Sequence, residues 1–181
     1  MSPNPALRDR TITLVGMMGV GKSTIGRKLA QVLDLPLRDA DQEIEMAAGR
    51  SIADIFAERG EAEFRAGERR VIARLLDEPA HVLAAGGGAF MNEQTRELIK
   101  EKAVSVWLKA DLDVMVRRVS RKDHRPLLTG KDPREVLKGL MHDRYPVYAL
   151  ADITIETDDR PAAAAVDLIV AALEQRLQAA G

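Results

Sequence analysis

Residues 16 to 23 read Gly16-Met17-Met18-Gly19-Val20-Gly21-Lys22-Ser23, preceded by T-I-T-L-V and followed by T-I-G-R-K-L-A-Q-V-L. The leading flank is short, apolar and β-branched, which predicts a buried strand. The trailing flank sets Ile25, Leu29, Ala30 and Leu33 at helical spacing, which predicts a helix from Ser23 to Asp34. Between them stands the pattern G-x-x-x-x-G-K-[ST]. Its glycines let the backbone curl until successive N–H groups converge on an anion. The helix that begins there adds the positive end of its dipole. Lys22 is placed to reach β and γ phosphates, and the Ser23 hydroxyl to ligate Mg²⁺. Chance alone produces the pattern in on the order of one chain in a hundred of this size, and fewer still set it between a strand and a helix. No N-K-x-D base-reading motif occurs, which favours ATP over GTP.

Outward from this loop, strands and helices alternate. L-P-L-R-D ending at Asp39 predicts a second strand, H-V-L-A-A from His81 a third, A-V-S-V-W-L-K from Ala103 a fourth and D-I-T-I from Asp152 a fifth. Helices are expected near 42–48, 51–59, 61–77, 92–102 and 111–120, after Asp132-Pro133, and after Pro161. Residues 1–10 read as a loose arm, and 121–131, basic, polar and marked by Pro126 and Gly130, as a mobile loop. The alternation implies one α/β domain, a parallel sheet covered on both faces. Ligands in such sheets sit at the carboxyl ends of the strands.

Composition narrows the chemistry. The 181 residues contain no cysteine, which excludes disulfides, thiolate metal sites and cysteine nucleophiles. A net charge of −1 supplies no global field for DNA or an anionic membrane, so neither partner is expected. The opening ten residues have no apolar signal-peptide core, and the apolar stretch 161–180 is interrupted by Asp167, Glu174 and Arg176. A cytoplasmic monomer is the expectation. His81, His124 and His142 lack ligand spacing and read as structural or surface residues.

Further segments pair with the loop. Asp39 and Asp41, at i and i+2 after the second strand, can serve a metal shell and a substrate hydroxyl, or Asp41 can simply cap the next helix. Gly86-Gly87-Gly88 ends the third strand, where many P-loop ATPases carry a magnesium-binding aspartate, and three missing Cβ atoms admit a small ligand. Arg65 and Glu68, at i and i+3, read as a surface ion pair as readily as a binding feature. Arg125 in the basic loop can close over a triphosphate or remain an exposed arginine. Arg144 is equally open, and Arg117 or Arg118 can lay a guanidinium on an adenine face.

The order of these motifs closely resembles that of the shikimate kinases: the phosphate loop, D-A-D, S-I-A-D-I-F, G-E-x-x-F-R-x-x-E, G-G-G-A, R-P-L-L and R-x-P-x-Y, spread over about residues 11 to 161. The resemblance implies a P-loop NTPase of the nucleoside-monophosphate-kinase type, a three-layer α/β/α fold in one domain with a five-stranded parallel sheet, substrate-binding helices over about 41–78 and a lid over about 121–132. It implies transfer of the ATP γ-phosphoryl group to the 3-hydroxyl of shikimate, in aromatic amino-acid biosynthesis, with Mg²⁺. By the same resemblance ATP is held by Gly19, Val20, Gly21, Lys22, Ser23, Thr24, Arg118, Arg125 and Pro161. Lys22, Asp41 and Arg125 carry catalysis, and Ser23 and Asp39 hold the metal. Shikimate is held by Asp41, Arg65, Glu68, Gly86, Gly87, Gly88 and Arg144. A kinase acting on another small acid, such as gluconate, and an ATP-binding module without kinase activity are the competing readings. Ala66-Gly67 departs from the family, where many members carry bulkier or charged residues, so the helix is expected to be weaker there.

Overall fold

Among the described residues, every strand runs in the same direction. In the computed structural model, which describes residues 2–120 and 130–181, β1 (Thr11–Val15), β2 (Leu37–Asp39), β3 (Val82–Ala84), β4 (Ala103–Lys109) and β5 (Ile153–Glu156) form one parallel sheet in the order β2-β3-β1-β4-β5. The central strand, β1, is buried along its whole length, as its unbroken apolar and β-branched run requires. The chain winds to one side of β1 through β2 and β3, then crosses to the other for β4 and β5. That reversal makes a switch point beside the carboxyl end of β1.

Helix α1 (Lys22–Leu33) buries Ile25, Gly26, Leu29, Ala30 and Leu33 against the sheet, the face its periodicity marks. A Cβ on Gly26 would stand 3.2 Å from Leu37 Cδ1 and 3.4 Å from Leu14 Cδ1, so the glycine sets how closely α1 packs. The remaining helices are α2 (Ala40–Ala48), α3 (Ile52–Leu76), α4 (Glu93–Lys102), α5 (Leu112–Ser120), α6 (Pro133–Tyr148) and α7 (Ala162–Ala180). The sequence predicts two helices over 51–77. They are continuous but for Gly60, whose φ of 81° and ψ of 171° break the helical geometry. Among the described residues no helix is long and apolar enough to cross a membrane.

Two local expectations change. Residues 5–8, read as part of a loose arm, form a short 3₁₀ turn (Pro5–Arg8) that buries Leu7. Arg10 Nη2 then donates to the carbonyls of Lys100 and Glu101 at 3.0 and 2.8 Å, using acceptors at the end of α4. Helix α2 starts at Ala40, and its cap is Asp39 rather than Asp41: Asp39 Oδ1 accepts from the amides of Asp41 and Gln42 at 3.0 and 3.3 Å.

Candidate active site

The carboxyl ends of β1, β2 and β3 are level, because Leu14 and Asp39 both pair with Ala84. This register brings the phosphate loop, the two aspartates and the three glycines to one edge of the sheet. The loop leaves β1 at Gly16 and closes onto α1 at Gly21. At Gly19 φ is +81°, and a Cβ would stand 2.6 Å from Val119 Cγ2, so no other residue fits there without strain. Lys22 Nζ donates to the carbonyls of Gly16 and Met17 at 2.6 and 3.0 Å, which holds its ammonium over the concave side of the loop. Val20 is fully buried, so it serves the site through its backbone alone.

Ser23 Oγ donates to Asp39 Oδ2 at 3.3 Å. The cap bonds occupy the other carboxylate oxygen, so Asp39 does two jobs at once: it starts α2 and presents an oxygen beside Ser23. A hydroxyl and a carboxylate suit Mg²⁺, which prefers hard oxygen donors and completes its shell with water and phosphate. Among the described residues no cluster of three or more His, Cys, Asp or Glu side chains could form an all-protein metal cage.

On one side of the loop lies a cavity of about 310 Å³ lined by Gly19, Gly21, Thr24, Arg118, Pro161 and residues 156–158 among others. Arg118 is fixed across its mouth: Nη1 donates to Val20 O at 2.6 Å and Nη2 to Asp158 O at 2.5 Å. Its neighbour Arg117 points away and pairs with Asp159 at 2.5 Å. The structure therefore separates two arginines that their spacing alone leaves equivalent.

On the other side is a smaller cavity of about 140 Å³, lined by Asp41, Arg65, Glu68, Gly86, Gly87, Gly88 and Arg144, with Met18, Ile52, Phe56 and Phe64 as its apolar wall. The glycines line this cavity and also make space within the protein itself. Each leaves room for a polar side chain. A Cβ on Gly86 would stand 3.0 Å from Asp41 Oδ1 and 3.1 Å from Glu68 Oε2, and one on Gly87 3.0 Å from Arg144 Nη1. One on Gly88 would overlap the Arg65 guanidinium. Arg65 Nη1 donates to Glu68 Oε1 at 2.9 Å, and Glu68 is only 3% exposed, so the surface-pair reading is wrong. The i, i+3 spacing shows that the two side chains meet; burial depends on what packs over them. Burial pushes the Glu68 carboxyl above its usual range, and the Arg65 guanidinium pulls it back.

Arg144 is also buried, at 8% exposure. It lies beside Tyr148, whose hydroxyl donates to Gly87 O and so pins the glycine turn. Burial raises the Tyr148 pKa and the Arg144 charge opposes that rise. Trp107 packs edge-on against Tyr145 at 4.9 Å, which gives α6 a rigid aromatic seat. Met18, Ile52, Phe56, Phe64 and Tyr148 carried no individual role in the sequence. The only signal for most of them was membership of the S-I-A-D-I-F, G-E-x-x-F-R and R-x-P-x-Y segments. His81 is buried with Nδ1 2.9 Å from Pro79 O, and His142 is exposed, so neither joins the site. Arg125, His124 and the lid residues 121–129 lie outside the described residues.

The family model described as shikimate kinase matches residues 18–174. A shikimate kinase of Caulobacter vibrioides (strain NA1000 / CB15N) is 66% identical over 169 residues, covering 93% of this chain and 84% of its own. The solved structure of an Acinetobacter baumannii shikimate kinase in complex with shikimate superposes with a TM-score of 0.86 at 37% identity, covering 97% of this chain and 98% of that one. A gluconokinase structure from Sinorhizobium meliloti 1021 covers 94% of this chain and 97% of its own, with a TM-score of 0.64 at 17% identity, a likeness of fold alone.

Proposed function

The chain belongs to the shikimate kinase family, and from that premise we propose that it transfers the γ-phosphoryl group of ATP to the 3-hydroxyl of shikimate, giving shikimate 3-phosphate and ADP. One observation carries this reading. Two guanidiniums, Arg65 and Arg144, and the Asp41 carboxylate line a single pocket at the sheet edge that also carries the phosphate loop.

Shikimate offers one carboxylate and neighbouring hydroxyls. Arg65 and Arg144 match the carboxylate with planar, bidentate donors, and Glu68 holds Arg65 in place. Asp41 accepts a hydrogen bond from the reacting hydroxyl and orients it. That oxygen attacks the γ phosphorus and forms the new P–O bond. The bond from the γ phosphorus to the bridging oxygen breaks, its electrons leave with ADP, and the hydroxyl proton passes towards Asp41. Lys22 stabilises the charge that builds on the transferring group. Ser23 and Asp39 would hold Mg²⁺, which would supply positive charge to offset that of the phosphates. Gly19, Val20, Gly21 and Thr24 complete the phosphate cradle, Arg118 and Pro161 enclose the adenine, and Arg125 closes over the triphosphate from the lid segment 121–132.

The protein acts as a cytoplasmic monomer with no nucleic-acid or membrane partner. The net charge of −1 supports this, as does the small number of exposed large apolar side chains among the described residues, Val32, Met46, Leu150 and Leu168. Sedimentation at working concentration tests the monomer. A coupled ADP assay with shikimate, quinate and gluconate tests the activity. Shikimate alone should drive rapid ADP release; preference for gluconate, or ATP binding with no acid-dependent turnover, would overturn the assignment.

A further inference from the structure

A cavity of about 410 Å³ lies between α2 and α3, lined by Ala47, Ala48, Arg59, Phe64, Gly67 and Arg70 among others. It shares no lining residue with the nucleotide cavity and only Phe64 with the acid pocket. Its floor is apolar, from Ile44, Ile55, Phe64 and Val71, all buried. Its rim is cationic, from Arg59, Arg70 and Arg74. Arg74 pairs with Glu43 at 3.1 Å, and among the described residues neither Arg59 nor Arg70 has an ion-pair partner. Glu63 is the one carboxylate in the lining. Three guanidiniums therefore face Glu43 and Glu63, an excess of one positive charge.

Gly67 opens the space. It shares a helix face with Glu63, Arg70 and Arg74, and the interior of a helix disfavours glycine. Its φ is not positive, and a Cβ there would meet only Arg70 Nη2, at 3.8 Å, so neither the backbone nor close packing demands glycine. What glycine provides is volume in front of Phe64. The break at Gly60 divides the walls: Ile55 and Arg59 precede it, while Phe64, Gly67 and Arg70 follow. Phe64 is 5% exposed, its ring is 4.7 Å from that of Phe56, and Arg65 Cζ lies 5.1 Å from its centroid. Phe56 and Arg65 belong to the acid pocket.

We propose that the cavity behind Phe64 is a second ligand site, taking a small monocarboxylate with an apolar ring, and that its occupation alters shikimate binding through Phe64. An apolar floor with a net positive rim recognises that chemistry and rejects cations and strongly hydrated ions. The shared wall makes shikimate, rather than ATP, the substrate that responds. Only this coupling rests on the kinase reading; the cavity and its charge do not.

The probe is 2-naphthoate, titrated by calorimetry into protein saturated with ADP and shikimate. The expected result is binding that persists with both sites filled. It should weaken at least tenfold in Gly67→Leu, which fills the space, and in Arg70→Ala. Gly67→Ala should stay within about twofold of the wild type. In the assay, 2-naphthoate should shift the KM for shikimate at least threefold while moving the KM for ATP less than twofold, and Gly67→Leu should abolish the shift. Should Gly67→Leu fail to fold, Ala48→Leu fills the cavity from the facing helix. Loss of binding on saturation with shikimate and ADP, or unchanged binding in the cavity-filling variant, would overturn the site. Binding without any change in the KM for shikimate would overturn the coupling. Absence of shikimate turnover would defeat the kinase reading and leave the titration intact.

Discussion

Arg65 holds one oxygen of Glu68, Oε1, at 2.9 Å, while the other, Oε2, is buried with no hydrogen-bond partner among the described residues. A half-satisfied buried carboxylate costs stability, so its retention is explained by what it positions. With Glu68 as anchor, the Arg65 guanidinium occupies the space left by Gly88.

The first prediction follows from the raised Glu68 pKa, caused chiefly by burial. A carboxyl held higher in the folded state than its ordinary 4.5 favours folding in its protonated form. That contribution is full below about pH 4.5 and is lost as pH rises through the folded value. The wild type should therefore lose stability relative to Glu68→Gln as pH rises from about 5 to about 7.5. Urea denaturation of both proteins at the two pH values measures it, and a constant difference would contradict it. The same variant should raise the KM for shikimate, because Arg65 loses its charged anchor.

Gly88→Ala isolates the Arg65 position. Gly88 has φ −94° and ψ −6°, which alanine adopts without strain, and the nearest atoms to its added Cβ all belong to the Arg65 guanidinium. The melting temperature should change little, and the KM for shikimate should rise roughly tenfold, about 1.4 kcal/mol of binding. The KM for ATP should stay within about twofold. Equal effects on both substrates would mean that Arg65 does not serve the acid.

Lys22 is tied to its own loop through Gly16 O and Met17 O. It is thus positioned before ATP arrives, and preorganised charge acts mainly on the transition state. Lys22→Ala should lower kcat by roughly a hundredfold or more. Single-turnover kinetics at saturating ATP and shikimate reads this directly, and near-normal turnover would remove Lys22 from the chemistry.

The parts of this site legible in the sequence are those where consecutive residues do the work. The phosphate loop is one: Gly16 to Ser23 define their own geometry between a strand and a helix. The strands are legible for the same reason: β1, β4 and β5 as short runs with β-branched residues, and β2 and β3 as short segments next to Pro36 and before Gly86. Burial was not legible, because it depends on distant segments. The spacing of Arg65 and Glu68 left a surface pair and a binding feature equally open, because the Gly86–Gly88 turn and Arg144 of α6 that line the same cavity are distant in sequence. Met17 and Met18 are neighbours without periodicity, yet one is 1% exposed in the core and the other lines the acid pocket. Leu7, with only Ala6 and Met1 as apolar company in the arm, gave no pattern to read.

The capping geometry at Asp39 bears on the last prediction. In sequence, Asp41 had two explanations, a helix cap and a functional carboxylate. Asp39 makes the cap, accepting from the amides of Asp41 and Gln42, so Asp41 is not needed to start α2. Its carboxylate instead lines the acid pocket, with Oδ1 3.0 Å from where a Gly86 Cβ would stand. Asp41→Asn keeps the size and most of the hydrogen bonding but removes the charge and the basic oxygen. If Asp41 orients and deprotonates the attacking hydroxyl, the variant should fold normally, bind ATP within about twofold of the wild type and lose roughly a hundredfold or more in kcat. A structural residue would instead lower the melting temperature and spare kcat per folded molecule. Measuring melting temperature, ATP affinity and kcat on one preparation separates these outcomes, and a surviving rate would remove Asp41 from proton transfer.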